Sequence, residues 1–416
     1  MKYLLLFFQF LYLLANSFNI VEAQVPQTRF WQFQSIDTMK YSRDIAREKL
    51  GDASYDVDID RQVRDIAQTG ATHIAIATPY DAEFLPYLTR WVKAARKYNL
   101  HVWFRGNWSG WESWFGYPSI SREEHIRKTQ EFIVANPQLF ADGDIFSACP
   151  ECENGGSGDP RHSGDVTKYR QFLIAEYTTS KQAFTKINKK VSANYYSMNA
   201  DVAKLVMDRD TTSQLDGIVV IDHYVKTVQQ LDSDITQIAS ASGGQVVLGE
   251  FGVPIPDIHG KLTSAQQAEW LGQAMPLLVA NTHLVGLNYW LNIGGSTALW
   301  SGNGQAYTAV QTLTSFYTPP TTSLKFVNDL KLPVTQGQVK YLNREYKFNS
   351  SGIVVLPKLA GVTAAIVTSP DYKNQTLDLS TVTPDQPIIL NRLHEDIFFK
   401  LWKLLSNLTL KPKPGL

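Results

Sequence analysis

The stretch "QVVLGEFG", Gln245–Gly252, is an apolar, β-branched run that stops at a glutamate. A run that stays apolar on both faces until its end is the pattern of a parallel strand covered on both sides. Working outward, seven further runs of this kind appear: "RFWQFQSI" (Arg29–Ile36), "THIAIAT" (Thr72–Thr78), "HVWFRG" (His101–Gly106), "DIFSAC" (Asp144–Cys149), "VSANYY" (Val191–Tyr196), "DGIVVID" (Asp216–Asp222) and "LVGLNYW" (Leu284–Trp290). Helical patterns lie between them. In "DIDRQVRDIAQTG", Ile59, Val63 and Ile66 recur at helical spacing up to Gly70, and in "AEFLPYLTRWVKAARKYN", Leu85, Leu88, Trp91 and Ala95 share one face. "SREEHIRKTQEFIVAN" opens on a Ser121/Glu124 capping box, and "SAQQAEWLGQAMPLLVAN" predicts a helix from Ser264 that runs through Pro276. Eight strand–helix units predict an α/β fold, a (β/α)8 TIM barrel. The rival open, doubly wound sheet wants a glycine-rich phosphate loop after its first strand, where this chain has "DTMKYSRD".

The barrel is expected over residues 24–318. Residues 1–23 carry a positive Lys2, continue as an apolar core and end with small residues at Val21 and Ala23. That is the chemistry of a secretory signal peptide cut after Ala23, or of an uncleaved anchor over Tyr3 to Val21. Both predict a secreted or cell-surface protein, with the membrane engaged only through that anchor. After the linker "TPPTTS", the alternating stretches "QVKYLNREYKF", "SGIVVLPKL" and "VTAAIVTS", with turns at "NSSG" and "SPDYKNQ", predict a small β-rich domain over 319–416. It closes with an amphipathic helix, "HEDIFFKLWKLLSNL". Lys+Arg and Asp+Glu both total 39, so no basic excess points to nucleic acid and a neutral partner fits. Ten Trp supply flat apolar faces with a polar edge, suited to sugar rings.

In a barrel of this kind the C-terminal strand ends converge on one mouth. There the sequence places Arg105 with Asn107, Trp108, Trp111 and Trp114; then "CPECEN" with Glu151 and Glu153; then Asn194, Tyr195 and Tyr196; then "DHY" with His223 and Tyr224; then Glu250; then Asn288, Tyr289 and Trp290. A carboxyl after the fourth strand facing one after the seventh is the pair that glycoside cleavage with retention requires, one to protonate the leaving oxygen and one to attack the anomeric carbon. Arg105, and a Tyr or His from the sixth strand, would hold the nucleophile ionised. Two carboxyls acting directly call for no metal and no organic cofactor. Cys149 and Cys152 can be read as a redox dithiol, part of a zinc site or a local disulfide. Outside the cytoplasm the disulfide is the plainest, bracing the turn that aims the proton donor.

On "VVLGEFG", "DHY" and "GLNYW", and in order and spacing from Arg29 to Tyr317, the chain resembles the retaining glycoside hydrolases built on (β/α)8 barrels with catalytic glutamates after strands four and seven, the superfamily of cellulases and mannanases. The resemblance implies Glu250 as nucleophile, His223 and Tyr224 reaching towards it and the sugar, and Trp290 flooring a sugar subsite. The fourth strand departs from the pattern. The family shows Asn-Glu there, whereas Pro150 precedes Glu151 and Cys152 precedes Glu153. By register Glu151 is the acid/base, with Glu153 the alternative, and Asn154 or Asn194 would take over the 2-hydroxyl contact. Arg105 and Trp108 complete the expected substrate contacts. The expected function is a secreted or surface-attached retaining glycosidase acting on β-linked neutral polysaccharide or oligosaccharide. The alternatives are a non-catalytic carbohydrate-binding barrel and a transglycosylase using the same two glutamates.

Overall fold

Parallel strands β1 (Phe33–Asp37), β2 (His73–Ile76), β3 (His101–Phe104), β4 (Ile145–Phe146), β5 (Ser197–Asn199), β6 (Ile218–Asp222), β7 (Gln245–Phe251) and β8 (Leu284–Tyr289) make up one sheet in a computed structural model that describes residues 29–383 and 386–393. The order is β4-β3-β2-β1-β8-β7-β6-β5, with β1 paired to both β2 and β8. Closure comes from the chain just before β5: Phe146 N donates to Ser192 O at 2.8 Å and Ser192 N to Asp144 O at 3.0 Å. The result is a (β/α)8 barrel. Each strand contributes one side chain to a layer inside it: Phe33, Ala75, Trp103, Ile145, Val220, Val247 and Val285, with Tyr195 standing in for the fifth position. Packing large beside small fills the lumen, so the barrel is a core and not a channel.

The outer helices follow the sequence periods. Asp56–Gln68 buries Ile59, Val63 and Ile66, and Leu85–Lys97 buries Leu88, Trp91 and Ala95 beside Tyr87 and Val92. Arg122–Ala135 is capped by the Ser121 side chain, which accepts from Glu124 N. Ser264–Ala280 starts on a Thr263/Gln266 capping box and carries Pro276 inside it. The helices Val166–Lys186, Val228–Ser242 and Thr308–Tyr317 complete the ring.

The fifth run needs a correction. Val191–Tyr196 is not the strand that reaches the mouth; it crosses the lower barrel, and β5 begins at Ser197. Tyr195 points into the lumen layer against Phe33, at 5.6 Å between ring centroids, and Asn194 Nδ2 donates to Leu215 O at 3.0 Å, below the start of β6.

The contacts divide the described residues between Pro319 and Pro320. Beyond that point two sheets share one core. Four antiparallel strands run in the order Arg344–Lys347, Gln338–Tyr341, Ala364–Ser369, Tyr372–Asp378. Three more run Ile353–Pro357, Thr321–Val327, Ile388–Ile389. Phe326 and Phe348 stack at 4.5 Å among Leu324, Val339, Leu356 and Val367. The stretch expected as a turn over "SPDYKNQ" is mostly strand, because Tyr372–Asp378 pairs with Ala364–Ser369. The "TPPTTS" linker likewise gives way to a strand at Thr321. The N-terminal leader and the terminal amphipathic helix lie outside the described residues. Among the described residues no helix is long and apolar enough to cross a membrane.

Candidate active site

At the mouth of the barrel the floor is built around one buried cation. Arg105, directly after β3, reaches across with Nη1 donating to Asp37 Oδ2 at 2.9 Å and Glu250 Oε1 at 3.1 Å. Its Nη2 donates to Ser197 Oγ at 2.9 Å and Asp222 Oδ2 at 3.0 Å. Asn288 on β8 donates to Asp37 Oδ2 at 3.1 Å and to Gly249 O at 2.9 Å. Four strand ends are thereby bonded to one guanidinium, through four hydrogen bonds from its two terminal nitrogens. Burial works against the Arg105 charge, but Asp222, Glu250 and Asp37 more than offset it and keep it protonated. Gly249 is needed here: a Cβ at that position would overlap Asp222 Oδ1.

Glu250 is 6% exposed. Its second oxygen accepts from Tyr224 Oη at 2.8 Å. Burial pushes its carboxyl up to about 7; Arg105 opposes the rise, and Glu151 and Asp37 add to it. Asp222 is driven well above the usual carboxylate range by burial, with Arg105 opposing. One arginine thus faces three carboxyls, and its charge works against the rise that burial imposes on Asp222 and Glu250.

Glu151 sits opposite, on the turn after β4. Its backbone is left-handed, at φ 47° and ψ 45°, a conformation that costs a non-glycine residue energy and concentrates at functional positions. Glu151 N donates to Ser197 O at 2.7 Å, and the turn is closed by a Cys149–Cys152 disulfide with Cα atoms 5.2 Å apart. Trp111 seals the turn from outside. Its Nε1 donates to Cys152 O at 3.2 Å, and its ring stacks on Phe172 at 5.2 Å. The second glycine of "ENGG" follows from this: Gly156 has φ +62° and a Cβ there would overlap the Trp111 indole. Glu151 is partly exposed, and its carboxyl is raised by burial and then by the charge of Glu153, against Arg105, Arg43 and a hydrogen bond from Asn154.

Glu153 is otherwise engaged. It is 3% exposed, accepts from Asn199 N at 2.7 Å and Asn199 Nδ2 at 3.0 Å, and meets Tyr169 Oη at 3.4 Å. It ties the turn to the end of β5 and to the helix Val166–Lys186.

Of the residues expected at the mouth, Arg105, Glu151, Asn154, Tyr224, Glu250 and Trp290 come together there. Trp290 is partly exposed and meets Tyr224 edge-on at 6.0 Å. Three of the expected substrate contacts do not join them. Trp108 is buried under the mouth, with Nε1 donating to Thr129 Oγ1 at 3.0 Å and its ring against Tyr80 and Phe132. His223 turns away, its Nε2 paired with Asp234 on the helix Val228–Ser242 at 2.9 Å. Asn194 lies at the far end of the barrel. The sequence reading missed Asp37, Ser197 and Asp222. Asp37 and Asp222 each end a strand run, and that position was the available signal.

The chain matches no protein-family model and no curated protein. Solved structures are similar in fold. GH5_18 from Bifidobacterium longum subsp. longum aligns with a TM-score of 0.51 at 14% identity, over 73% of this chain and 85% of that one. An FMN-binding β-glucuronidase from Facaelibacterium prausnitzii aligns at 0.50 and 9% identity, over 86% of this chain but 56% of that longer one. A fungal β-1,4-galactanase aligns at 0.49 and 14% identity, over 68% of this chain and 99% of that one. The likeness, at 14% identity or less, is one of fold alone.

Proposed function

We propose that the protein is a retaining glycoside hydrolase acting on β-linked neutral glycans, with Glu250 as nucleophile and Glu151 as acid/base. The observation that carries this reading is the unequal pair of carboxyls opening on one cup, one clamped by Arg105 and Tyr224, the other on a braced turn across from it. The clamp stabilises the carboxylate form of Glu250 and aims an oxygen at the anomeric carbon. Glu151, its carboxyl raised by burial, carries a proton to the glycosidic oxygen as that bond breaks. The sugar is left as an ester on Glu250. Glu151, now ionised, takes a proton from water, the water oxygen attacks the anomeric carbon, and Glu250 leaves. Glu153 is not the donor in this reading, since Asn199 and Tyr169 occupy its oxygens. Trp290 offers an apolar face beside Tyr224 for the sugar in the cleaved position.

The work is done outside the cytoplasm, as a secreted or surface-attached enzyme. The leader at residues 1–23 and the Cys149–Cys152 disulfide support that placement. The neighbours' printed activities, on galactan and glucuronides, favour a glycan substrate of β linkage. The test is turnover of a panel of aryl β-glycosides and β-linked oligosaccharides, with a mechanism-based inactivator to trap the ester. Label on Glu250 and an anomerically retained product are expected. Absence of turnover on every substrate, or a label on another residue, overturns the assignment.

A further inference from the structure

A third carboxyl stands on the acid's side of the cup and has no part in the chemistry above. Glu112 ends the short helix Ser109–Glu112 in the loop after β3 and is partly exposed. One of its oxygens, Oε1, accepts from Asn107 Nδ2 at 2.5 Å. The same amide nitrogen lies 3.5 Å from Cys149 Sγ, so the Glu112 carboxyl abuts the disulfide turn that carries Glu151. The other oxygen has no hydrogen-bond partner among the described residues.

Asn107 is fixed from behind. Its Oδ1 accepts from Trp108 N at 2.8 Å and meets His125 Nε2 at 2.9 Å. His125 and Glu176 are both fully buried and lie 3.2 Å apart, Nδ1 to Oε2. With its oxygen taken by these donors, the Asn107 amide can only present its nitrogen to Glu112. A chain of buried polar groups thus sets the direction of one mouth carboxylate. Burying such groups is costly, and the hydrophobic core of the barrel has no use for them. Burial also pushes the Glu112 carboxyl up to about 7, with the Asn107 bond opposing.

The side of the cup decides what Glu112 meets. The nucleophile wall is made by β6, β7 and β8, which bring Tyr224, Glu250 and Trp290. Glu112 stands with Glu151 on the wall made by β3 and β4. Displacement at the anomeric carbon is in line, so the leaving group departs away from Glu250, along the wall that holds the proton donor.

We infer that Glu112 is a substrate-binding residue for the leaving-group side, its free oxygen accepting a hydroxyl hydrogen of the sugar that departs, with Asn107, His125 and Glu176 as positioning residues behind it. The inference rests on the two-glutamate reading. It specifies a leaving group that is itself a sugar, so the substrate is an oligosaccharide or polysaccharide and not a small aglycone.

The experiment compares two substrates of the same donor sugar, a 4-nitrophenyl β-bioside and the matching β-linked tetrasaccharide, on wild type and Glu112→Gln. The amide keeps the shape of the side chain. With Oε1 held by Asn107 it turns an NH2 where the carboxylate offered an acceptor. A charge-assisted bond lost only with the sugar leaving group lowers kcat/KM on the tetrasaccharide about tenfold or more beyond any loss on the aryl bioside. Glu112→Ala, with its fold checked by circular dichroism, should show the same split. Equal losses on both substrates would mean that Glu112 acts by packing the 149–153 turn, and no loss on either would mean that it meets no substrate; each overturns the inference. If wild type turns over neither substrate, the two-glutamate reading fails first and takes the inference with it.

Discussion

The two walls of the cup hold their carboxyls in opposite ways. Glu250 lies within β7, where the pairing with β6 and β8 shifts register, at the centre of a hydrogen-bonded cluster that draws on β1, β3, β5, β6 and β8. Glu151 lies on a four-residue turn held by a disulfide, an indole and a left-handed backbone. The difference fits the tasks proposed for the two residues. A nucleophile must be ionised and fixed along one line of attack, which charge and a rigid frame supply. A group that gives a proton and later takes one back needs a raised pKa and contact with both sugar and water, which a partly exposed turn supplies.

The sharpest way to break this contrast is to neutralise each glutamate. Glu250→Gln should lower turnover on the order of 10⁴-fold or more for every substrate, whatever its leaving group, because no ester forms. Glu151→Gln should cost about 10²–10⁴-fold on sugar leaving groups and far less on a dinitrophenyl glycoside, which departs without a proton. Similar losses on both substrates in the second variant would erase the distinction between the walls. The basic limb of the kcat/KM profile, set by loss of the Glu151 proton, should disappear in Glu151→Gln.

A stability measurement sharpens the same contrast. The Glu250 carboxyl is raised in the fold from an ordinary 4.5 to about 7. Its contribution to stability is therefore full below about 4.5 and is lost as pH climbs through 7. At pH 8 the ionised group costs on the order of 3 kcal/mol at 1.36 kcal/mol per unit. Glu250→Gln, neutral throughout, should resist denaturant better than wild type at pH 8, and the two should converge below pH 4.5. The smallest effect is expected from the other wall. Opening the disulfide by Cys152→Ser frees a very short loop, worth about 2 kcal/mol, and should slow sugar leaving groups while inactivator labelling of Glu250 persists.

The strands were legible because buried parallel strands leave continuous apolar runs, and the polar residue that ends each run marks the mouth. Glu250 and Arg105 were found that way, while the disulfide was favoured among three readings of the cysteines by the compartment that the leader implies. Facing was not legible. His223 and Tyr224 are neighbours, yet one points to a helix and the other to Glu250, and only the twist of β6 decides which. Trp108 reads like a sugar platform and is a core residue, since an indole suits both uses. The fifth strand misled by three residues because "NYY" satisfies a strand pattern as well as "SMN" does. The helix Val166–Lys186 was invisible because Glu176 and Ser180 are buried among its aromatic residues and blur the period.

The β4–β5 side of the barrel is stitched by scattered bonds at Lys190, Ser192, Tyr195 and Ser197 rather than by a ladder, whereas β7 and β8 pair along most of their length. That sparse seam runs directly beneath the disulfide turn. Amides of Phe146 and Ser192 should therefore exchange with deuterated solvent sooner than those of the β7–β8 interface. A margin laced without a ladder should give the turn that carries Glu151 more play than the frame around Glu250, which is the contrast that exchange measures.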